Sequence, residues 1–379
     1  MKFLDATAGG LLCWAGGYWL HLMGRNSRAS GKSLETGIKR ILVIRPGGMG
    51  DMILIQPMLK SLHRHFPMAA IDLVCEKRNR DIALLAGDPA GLFLYDARPF
   101  RTLMRLCRTR YDITIDTEQF HNFSAVMAWL SGAPVRIGFK INPARNPIYT
   151  HLVNYDLEGY EAGEFMALLA PLGIGEEPVL QGCFTVPATL PPPALMEPVL
   201  SACDRLILIH VGASTRYKHW GSDKFAELAE RLSREFRGSS FESGDGGRVV
   251  IGLVGGKADA EVAGNIARQS GLGERVVVLA GGLSLAQMAG LLQRAALFIG
   301  GDSGLAHLAV ALGTPTVVLF GPSDPMKWGV RGPRHAVVLK KMSCAPCFIF
   351  GYHKPCRSIQ CMADISVDDV MEGCRSAGG

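Results

Sequence analysis

The chain has 379 residues, 48% of them hydrophobic and 20% charged, with a formal net charge of +6. That length holds two domains of ordinary size, and the composition is that of a globular protein, which excludes disordered and fibrous classes. So modest a positive balance, with no sharp basic cluster, excludes a dedicated nucleic-acid binder.

In chain order, the N-terminal stretch is unusual. Before Ile41 there are six basic residues (Lys2, Arg25, Arg28, Lys32, Lys39, Arg40) against two acids (Asp5, Glu35), and Ala6 to Gly24 carries no charge while including Trp14, Tyr18 and Trp19. This is near the lower limit for a membrane span, but Gly9, Gly10, Gly16, Gly17 and Gly24 weaken it as a helix. Interfacial aromatics followed by Arg and Lys predict a segment lying on an anionic, cytoplasmic membrane face. A disordered tail is the plainer alternative; a cleaved signal peptide is disfavoured by Asp5 and the missing A-x-A site. Residues 1–37 are therefore read as a hydrophobic, basic, membrane-associating segment.

Residues 38–185 alternate strand-like and helical runs, the pattern of a parallel sheet with crossover helices. The strands are expected at Ile41–Arg45, Ile71–Cys75, Leu92–Tyr95, Asp112–Asp116 and Val135–Phe139. Helices are expected at Met52–His65, kinked at Pro57, and at Asn122–Leu130. Periodicity is lost after Gly173 among Pro178, Pro187, Pro191, Pro192, Pro193 and Pro198, which makes residues 186–204 the linker. Alternation resumes over residues 205–365. Strands are expected at Leu206–Val211, Arg248–Val254, Arg275–Ala280, Ala296–Gly300 and Thr316–Gly321. Helices are expected at Asp223–Phe236, Ala258–Gln269, Leu285–Arg294 and Leu305–Leu312. Ser222 and Ser284 sit where N-caps belong, and Gly313 where a C′ residue belongs. Gly238–Gly247 reads as a surface loop, and residues 366–379 as a C-terminal helix or tail. The fold class is α/β: two doubly wound, Rossmann-like domains with sites at the carboxyl ends of their strands.

Two glycine-rich turns carry the chemistry. In LFIGGDSGLAHLAV a strand ends at Gly301, Asp302, Ser303 and Gly304 before a helix start whose N–H groups suit a diphosphate. Asp302 would repel phosphate, so it is expected to cap the helix or accept from sugar hydroxyls, while His307 lies one turn in. Plain capping and packing is the alternative reading. The loop GASTRYKHW after Val211 offers Ser214, Thr215, Arg216 and Lys218 beside it; Lys218 can offset charge on a departing diphosphate, as a metal would elsewhere. No D-x-D pair stands at a comparable strand end.

The first turn, PGGMGD, carries Gly47, Gly48 and Gly50 and ends at Asp51. It matches neither the dinucleotide fingerprint nor a P-loop. A carboxylate at a helix start can take a hydroxyl proton late in an attack on carbon; a plain capping aspartate is the alternative. Arg98, Arg101, Arg105 and Arg108 recur at helical spacing with no acid among them, which suits acceptor phosphates or an anionic membrane, or an ordinary solvated face. Cys344, Cys347, Cys356 and Cys361 form C-x2-C-x8-C-x4-C, a candidate structural metal site, with packed free thiols as the alternative. Cys13, Cys75, Cys107, Cys183 and Cys203 read as small core residues.

Taken together, LVIRPGGMGDMILIQPML, HVGASTRYKHW, GGDSGLAHLAVALGTPTVVLFGPSDP and the cysteine-bearing tail ending CMADI resemble glycosyltransferase family 9, the ADP-heptose:lipopolysaccharide heptosyltransferases. The resemblance runs from about Ile41 to the C-terminus. It implies a GT-B fold whose domains face a central cleft, an N-terminal acceptor domain, a C-terminal nucleotide-sugar donor domain, and an inverting reaction needing no cofactor or catalytic metal. The implied partners are ADP-heptose and a lipid-linked oligosaccharide acceptor, with peripheral contact at the cytoplasmic face of the inner membrane. The family's base falls on Asp51 and its donor-phosphate lysine on Lys218, with Ser214 beside it. Its donor motif falls on Asp302, Ser303, Gly304 and His307. GGKADAE resembles the nucleoside-contacting segment, which directs Asp259 or Glu261 toward ribose or base. RPGGMGD departs from the Ser-rich turn of well-known members, leaving the acceptor open: a protein acceptor keeps the same chemistry. A nucleotide-sugar epimerase and a non-catalytic nucleotide-sugar-binding protein are the alternatives of other classes.

Overall fold

The structure, a computed structural model, describes residues 5, 9–22, 37–87, 89–184, 205–236, 248–353, 356 and 358–378. The expected linker, the loop Gly238–Gly247 and the basic flank Arg25, Arg28 and Lys32 lie outside these residues. The chain forms two compact units, Met1–Cys183 and Phe184–Gly379.

The first unit is built on a six-stranded parallel sheet: β1 (Arg40–Ile44), β2 (Ala70–Cys75), β3 (Gly91–Leu94), β4 (Ile113–Asp116), β5 (Val135–Lys140) and β6 (His151–Asn154), in the order β3-β2-β1-β4-β5-β6. The register pairs Ile41 with Ile71 on one side and Ile113 on the other. Near-continuous apolar runs suit strands covered on both faces, and Ile41, Leu42, Val43 and Ile44 are all fully buried. Strand order reverses between β1 and β4, so the Gly-rich turn after β1 opens at the crevice where doubly wound sheets bind ligands.

Two details depart from the sequence reading. The expected helix Met52–His65 is two helices, Met49–Leu54 and Gln56–His65, with Pro57 in the first turn of the second. Proline lacks only an N–H that a helix start leaves unbonded, so it begins this helix instead of kinking one. Strand β6 was not expected, because its alternating half-buried pattern carries His and Asn in a short edge strand.

The N-terminal segment contains a helix, Gly10–Leu22. It packs on helix Asn122–Leu130 and the 3-10 turn Asn146–Ile148. The glycines read from sequence as weakening it form its seat. A Cβ added at Gly17 would lie 2.5 Å from Pro147, one at Gly16 2.9 Å from Trp129, and Gly9 faces Asn122. Cys13 completes this buried small-residue face. No described helix is long and apolar enough to cross a membrane.

The second unit repeats the plan with β7 (Arg205–His210), β8 (Val249–Val254), β9 (Val276–Val278), β10 (Leu297–Gly301), β11 (Thr316–Phe320) and β12 (His335–Leu339), ordered β12-β11-β10-β7-β8-β9 and parallel throughout. Its reversal falls between β7 and β10, which brings the GASTRYKHW and GGDSG loops side by side. A hairpin of β13 (Phe348–Ile349) and β14 (Tyr352–His353) follows.

Helix Leu285–Arg294 carries the expected cap, Ser284 Oγ accepting from Gln287 N–H at 3.2 Å. Ser222, by contrast, is the first helical residue, and Gly221, at φ +115°, holds the cap position. Gly313 adopts the left-handed conformation expected of a C′ residue, φ +83°. The helix Val367–Gly378 is part of the unit 2 core. It packs on β11, β12 and helix Ser222–Glu235, and Val370, Met371 and Cys374 are fully buried.

Candidate functional site

In the first unit the turn after β1 owes its shape to Gly47, at φ +116°, a conformation that strongly favours glycine. A side chain there would also meet Arg45 Nη2 at 2.9 Å and Asp51 Oδ2 at 3.1 Å. Gly48 precedes helix Met49–Leu54, and Asp51, at its third position, reaches back to accept the Gly48 N–H at 3.2 Å. Asp51 is therefore a capping residue, as the plainer reading held. It is also more than that, because Arg45 Nη2 lies 3.3 Å from the same Oδ2. Both contacts are made to Oδ2.

Arg45 was not picked out from sequence, and its only signal was a cation ending the apolar run ILVIR. Its guanidinium is buried, sits 5.1 Å over the Phe165 ring and donates to Thr117 O at 2.8 Å. Its second carboxylate is Glu118, at 3.9 Å. Burial works against the Arg45 charge, but Asp51, Glu118, Glu161 and Asp116 outweigh it and raise its pKa. Burial would likewise raise Glu118. The hydrogen bond from His121, the Arg45 charge and the Phe120 N–H prevail and hold its carboxyl down at about 2. A buried cation thus stands behind the part-exposed Asp51.

The four arginines lie elsewhere in unit 1. Arg98 precedes helix Pro99–Arg108, and Arg101, Arg105 and Arg108 are exposed on it, with Arg105 5.3 Å over the Phe93 ring.

In the second unit, Lys218 Nζ and Asp302 Oδ2 meet at 2.6 Å, both nearly buried. Two residues singled out separately in the sequence, 84 positions apart, form one ion pair at the carboxyl edge of β7 and β10. Asp302 accordingly does not cap the following helix; Ser303 is at the N-cap, without a side-chain capping bond. Ser303 Oγ instead lies 3.4 Å from His210 Nδ1. His210 is buried, stacked on Phe298, and its pKa is pushed down to about 4 by burial, so it stands neutral beside the serine. Gly300 has no room for a side chain, since a Cβ would lie 2.9 Å from His210 Cβ.

Lys218 Nζ also sits 4.8 Å over the Phe348 ring. That ring is placed by the N–H groups of Cys347 and Phe348 donating to Pro322 O at 2.8 and 2.9 Å. Thr215 Oγ1 and Ser323 Oγ are buried hydroxyls with no partner among the described residues, one in the loop after β7 and one in the loop after β11. His307 is buried one turn into helix Gly304–Ala311; Ser214 is exposed. The edge thus offers a cation, hydroxyls and helix N–H groups converging on one strip, the equipment for an anionic diphosphate. His210, Ser323 and Phe348 escaped sequence reasoning, which had no signal for residues assembled by sheet order.

The two acidic residues of the GGKADAE segment differ from each other. Asp259 Oδ2 accepts the Gly256 N–H at 2.7 Å and packs against Gly212 and Gly255, which makes it a local capping residue, whereas Glu261 is exposed.

A metal on the C-terminal cysteines is not supported. Among the described residues no group of three or more His, Cys, Asp or Glu side chains could hold an ion. The four thiols stand at different depths: Cys344 is exposed, Cys347 and Cys356 half-buried, and Cys361 buried. Cys361 is held above the usual thiol range by burial, and Cys356 Sγ accepts the Ile359 N–H instead.

The model of glycosyltransferase family 9 (heptosyltransferase) matches residues 100–356. Lipopolysaccharide heptosyltransferase 1 of Pseudomonas aeruginosa is 28% identical over 334 residues, which cover 81% of this chain and 86% of that protein. A glycosyl transferase family 9 structure from Veillonella parvula superposes with a TM-score of 0.69 at 19% identity, covering 91% of this chain and 98% of the other. The ADP-heptose lipopolysaccharide heptosyltransferase II of Escherichia coli gives 0.64 at 23%, covering 89% and 98%. These likenesses place both units in the GT-B class of paired Rossmann-like domains.

Proposed function

The chain belongs to glycosyltransferase family 9, and from that premise we propose that it moves a heptose from ADP-heptose to a hydroxyl of the lipopolysaccharide core. The relatives' names supply the donor and acceptor. The single observation that carries the reading is the Lys218–Asp302 pair at the start of helix Gly304–Ala311, on the switch-point edge of the second sheet.

The proposed step is one displacement with inversion. The acceptor oxygen forms a bond to the anomeric carbon as the bond from that carbon to the diphosphate oxygen breaks. The electron pair leaves with ADP, and the acceptor proton passes to Asp51 Oδ1. Arg45 keeps the other Asp51 oxygen occupied and the carboxylate fixed, so the proton is taken only once attack has made it acidic. Lys218, the Ser303 hydroxyl and the helix N–H groups stabilise the departing diphosphate without a metal; Thr215 and Ser323 supply further donors. Asp302, released from Lys218, is suited to accept from a sugar hydroxyl, and His307 supports the helix turn. Asp259 or Glu261 would serve the nucleoside. A lipid-linked acceptor places the enzyme in peripheral contact with the cytoplasmic face of the inner membrane.

The test is transfer of heptose from ADP-heptose to purified heptose-free core acceptor, read as ADP release and product mass. Asp51→Ala should bind donor as the parent does and lose transfer by at least about a hundredfold. Near-parental turnover would remove the base assignment. ADP-heptose consumed equally without acceptor would remove the transferase reading in favour of an epimerase.

A further inference from the structure

Helix Asn122–Leu130 of the first unit is in contact with both Gly10–Leu22 and Pro99–Arg108. The N-terminal helix is fastened there at several points. Asp5 accepts the N–H groups of Asn122 and Phe123 at 3.1 and 2.8 Å, and Cys13 Sγ donates to Asn122 O at 3.5 Å. With Gly9, Cys13, Gly16 and Gly17 turned inward, the opposite stripe is Leu11, Trp14 and Tyr18, spaced i, i+3, i+7. These three are 70%, 69% and 57% exposed. Trp14 and Tyr18 stack with centroids 5.9 Å apart and planes 9° apart. A docked helix has spent its small face on its own domain and keeps its large apolar residues in water.

Helix Pro99–Arg108, which packs on the same helix Asn122–Leu130, does likewise: Phe100 and Met104 are 82% and 52% exposed. Around them Arg98, Arg101, Arg105 and Arg108 are exposed, and Arg98 to Arg110 contains no acid. In sequence the N-terminal helix is followed by Arg25, Arg28 and Lys32 before the next acid, Glu35.

We propose that the outer surfaces of helices Gly10–Leu22 and Pro99–Arg108 form one bilayer-binding face for anionic phospholipid. Leu11, Trp14, Tyr18 and Phe100 enter the interface while the arginines meet headgroup phosphates. The charge decides the occupant. A second copy of the chain would have to set this acid-free arginine row against itself, whereas an anionic membrane supplies the complement. Indole and phenol rings favour the headgroup boundary, and 13 residues, about 20 Å of helix, lie on a bilayer whose core is about 30 Å thick without crossing it. This deepens the proposed function, on which it rests only for the acceptor's being lipid-linked, by naming the surface that brings the enzyme to it.

The test is flotation of the full chain with phosphatidylcholine vesicles, with and without phosphatidylglycerol. The parent should float with the anionic vesicles alone and dissociate as salt rises. Trp14→Ser with Tyr18→Ser, both exposed and neither assigned to the catalytic groups, should lower partitioning at least about tenfold. Arg101→Glu with Arg108→Glu should do the same. The aromatic pair should also slow transfer to acceptor embedded in vesicles while leaving transfer to a deacylated, soluble acceptor unchanged. Undiminished flotation of both double variants overturns the face. A parent that floats with neither vesicle, or a dimer in light scattering that the aromatic changes dissolve, overturns the membrane as its occupant. A parent chain that does not bind vesicles although its soluble transfer is intact refutes this inference alone; a parent that binds vesicles but transfers nothing refutes the enzymatic reading.

Discussion

Replacing Arg45 with methionine removes the cation from behind Asp51 and Glu118 while filling its space. The guanidinium is buried, 3.3 Å from Asp51 and 3.9 Å from Glu118. Breaking a buried pair by deleting one member costs about 3–5 kcal/mol, since a charge is left unpaired. Glu118 gives an upper bound on its share. Its carboxyl is held at about 2 against an ordinary value of 4.5, a difference worth about 3 kcal/mol that the His121 hydrogen bond supplies first and Arg45 second. Asp51, a third exposed, adds little through solvent.

The sign follows. Glu118 titrates lower in the folded chain than in the unfolded one, so its contribution is complete above about pH 4.5 and is lost as pH falls toward about 2. In Arg45→Met one of the influences that hold Glu118 down is gone and its carboxyl rises, so the deficit should be largest at neutral pH and shrink as pH falls toward about 3. Native-state hydrogen exchange of the β1 and β4 amides reads the first unit by itself. A deficit equal at both pH values would mean that packing, not charge, is responsible. A loss under about 1 kcal/mol would mean that the pair contributes no more than a surface contact.

Two further outcomes are expected. Lys218→Ala leaves Asp302 without its partner and the diphosphate without its cation, so kcat should fall about a hundred- to a thousandfold, read as ADP release; retention of more than a tenth of parental turnover contradicts the leaving-group role. His210, with its pKa depressed by burial to about 4, is more readily protonated in the unfolded chain. The second unit should therefore lose stability as pH falls from about 6.5 toward about 4. His210→Gln should flatten that dependence in hydrogen exchange of β7 and β10, and an unchanged slope assigns it to other groups.

Much of the architecture was legible because both sheets are covered on both faces: runs such as ILVI and VVIGLV are apolar throughout and sit between turn residues. Boundaries moved by a residue or so where a strand's last charged or glycine residue leaves the ladder, as at Arg45. The edges were less legible. β6 and β12 are half-covered, so their apolar signal is diluted by His151, Asn154 and His335. The glycines of the N-terminal helix were misjudged for a different reason: propensity describes an isolated helix, while Gly16 and Gly17 act through the side chains of Trp129, Ile148 and Pro147.

The site divides in the same way. Asp51, Lys218, Asp302 and Ser303 could be picked out because each sits in a turn at a strand end. That Lys218 holds Asp302, or that Arg45 stands between Asp51 and Glu118, depends on strand order, which places loops 72 or 84 residues apart side by side. No local pattern records such neighbours.

The seat of the N-terminal helix is made from side chains that are missing, and this makes its tolerance to change lopsided. Any substitution at Gly16 or Gly17 adds atoms where Trp129 and Pro147 already are, so the inner positions admit no gradual variation. Leu11, Trp14 and Tyr18 are mostly exposed, so the fold tolerates their exchange. Natural drift or deliberate engineering could therefore retune what the outer stripe adheres to, residue by residue, at no expense to the domain that carries it.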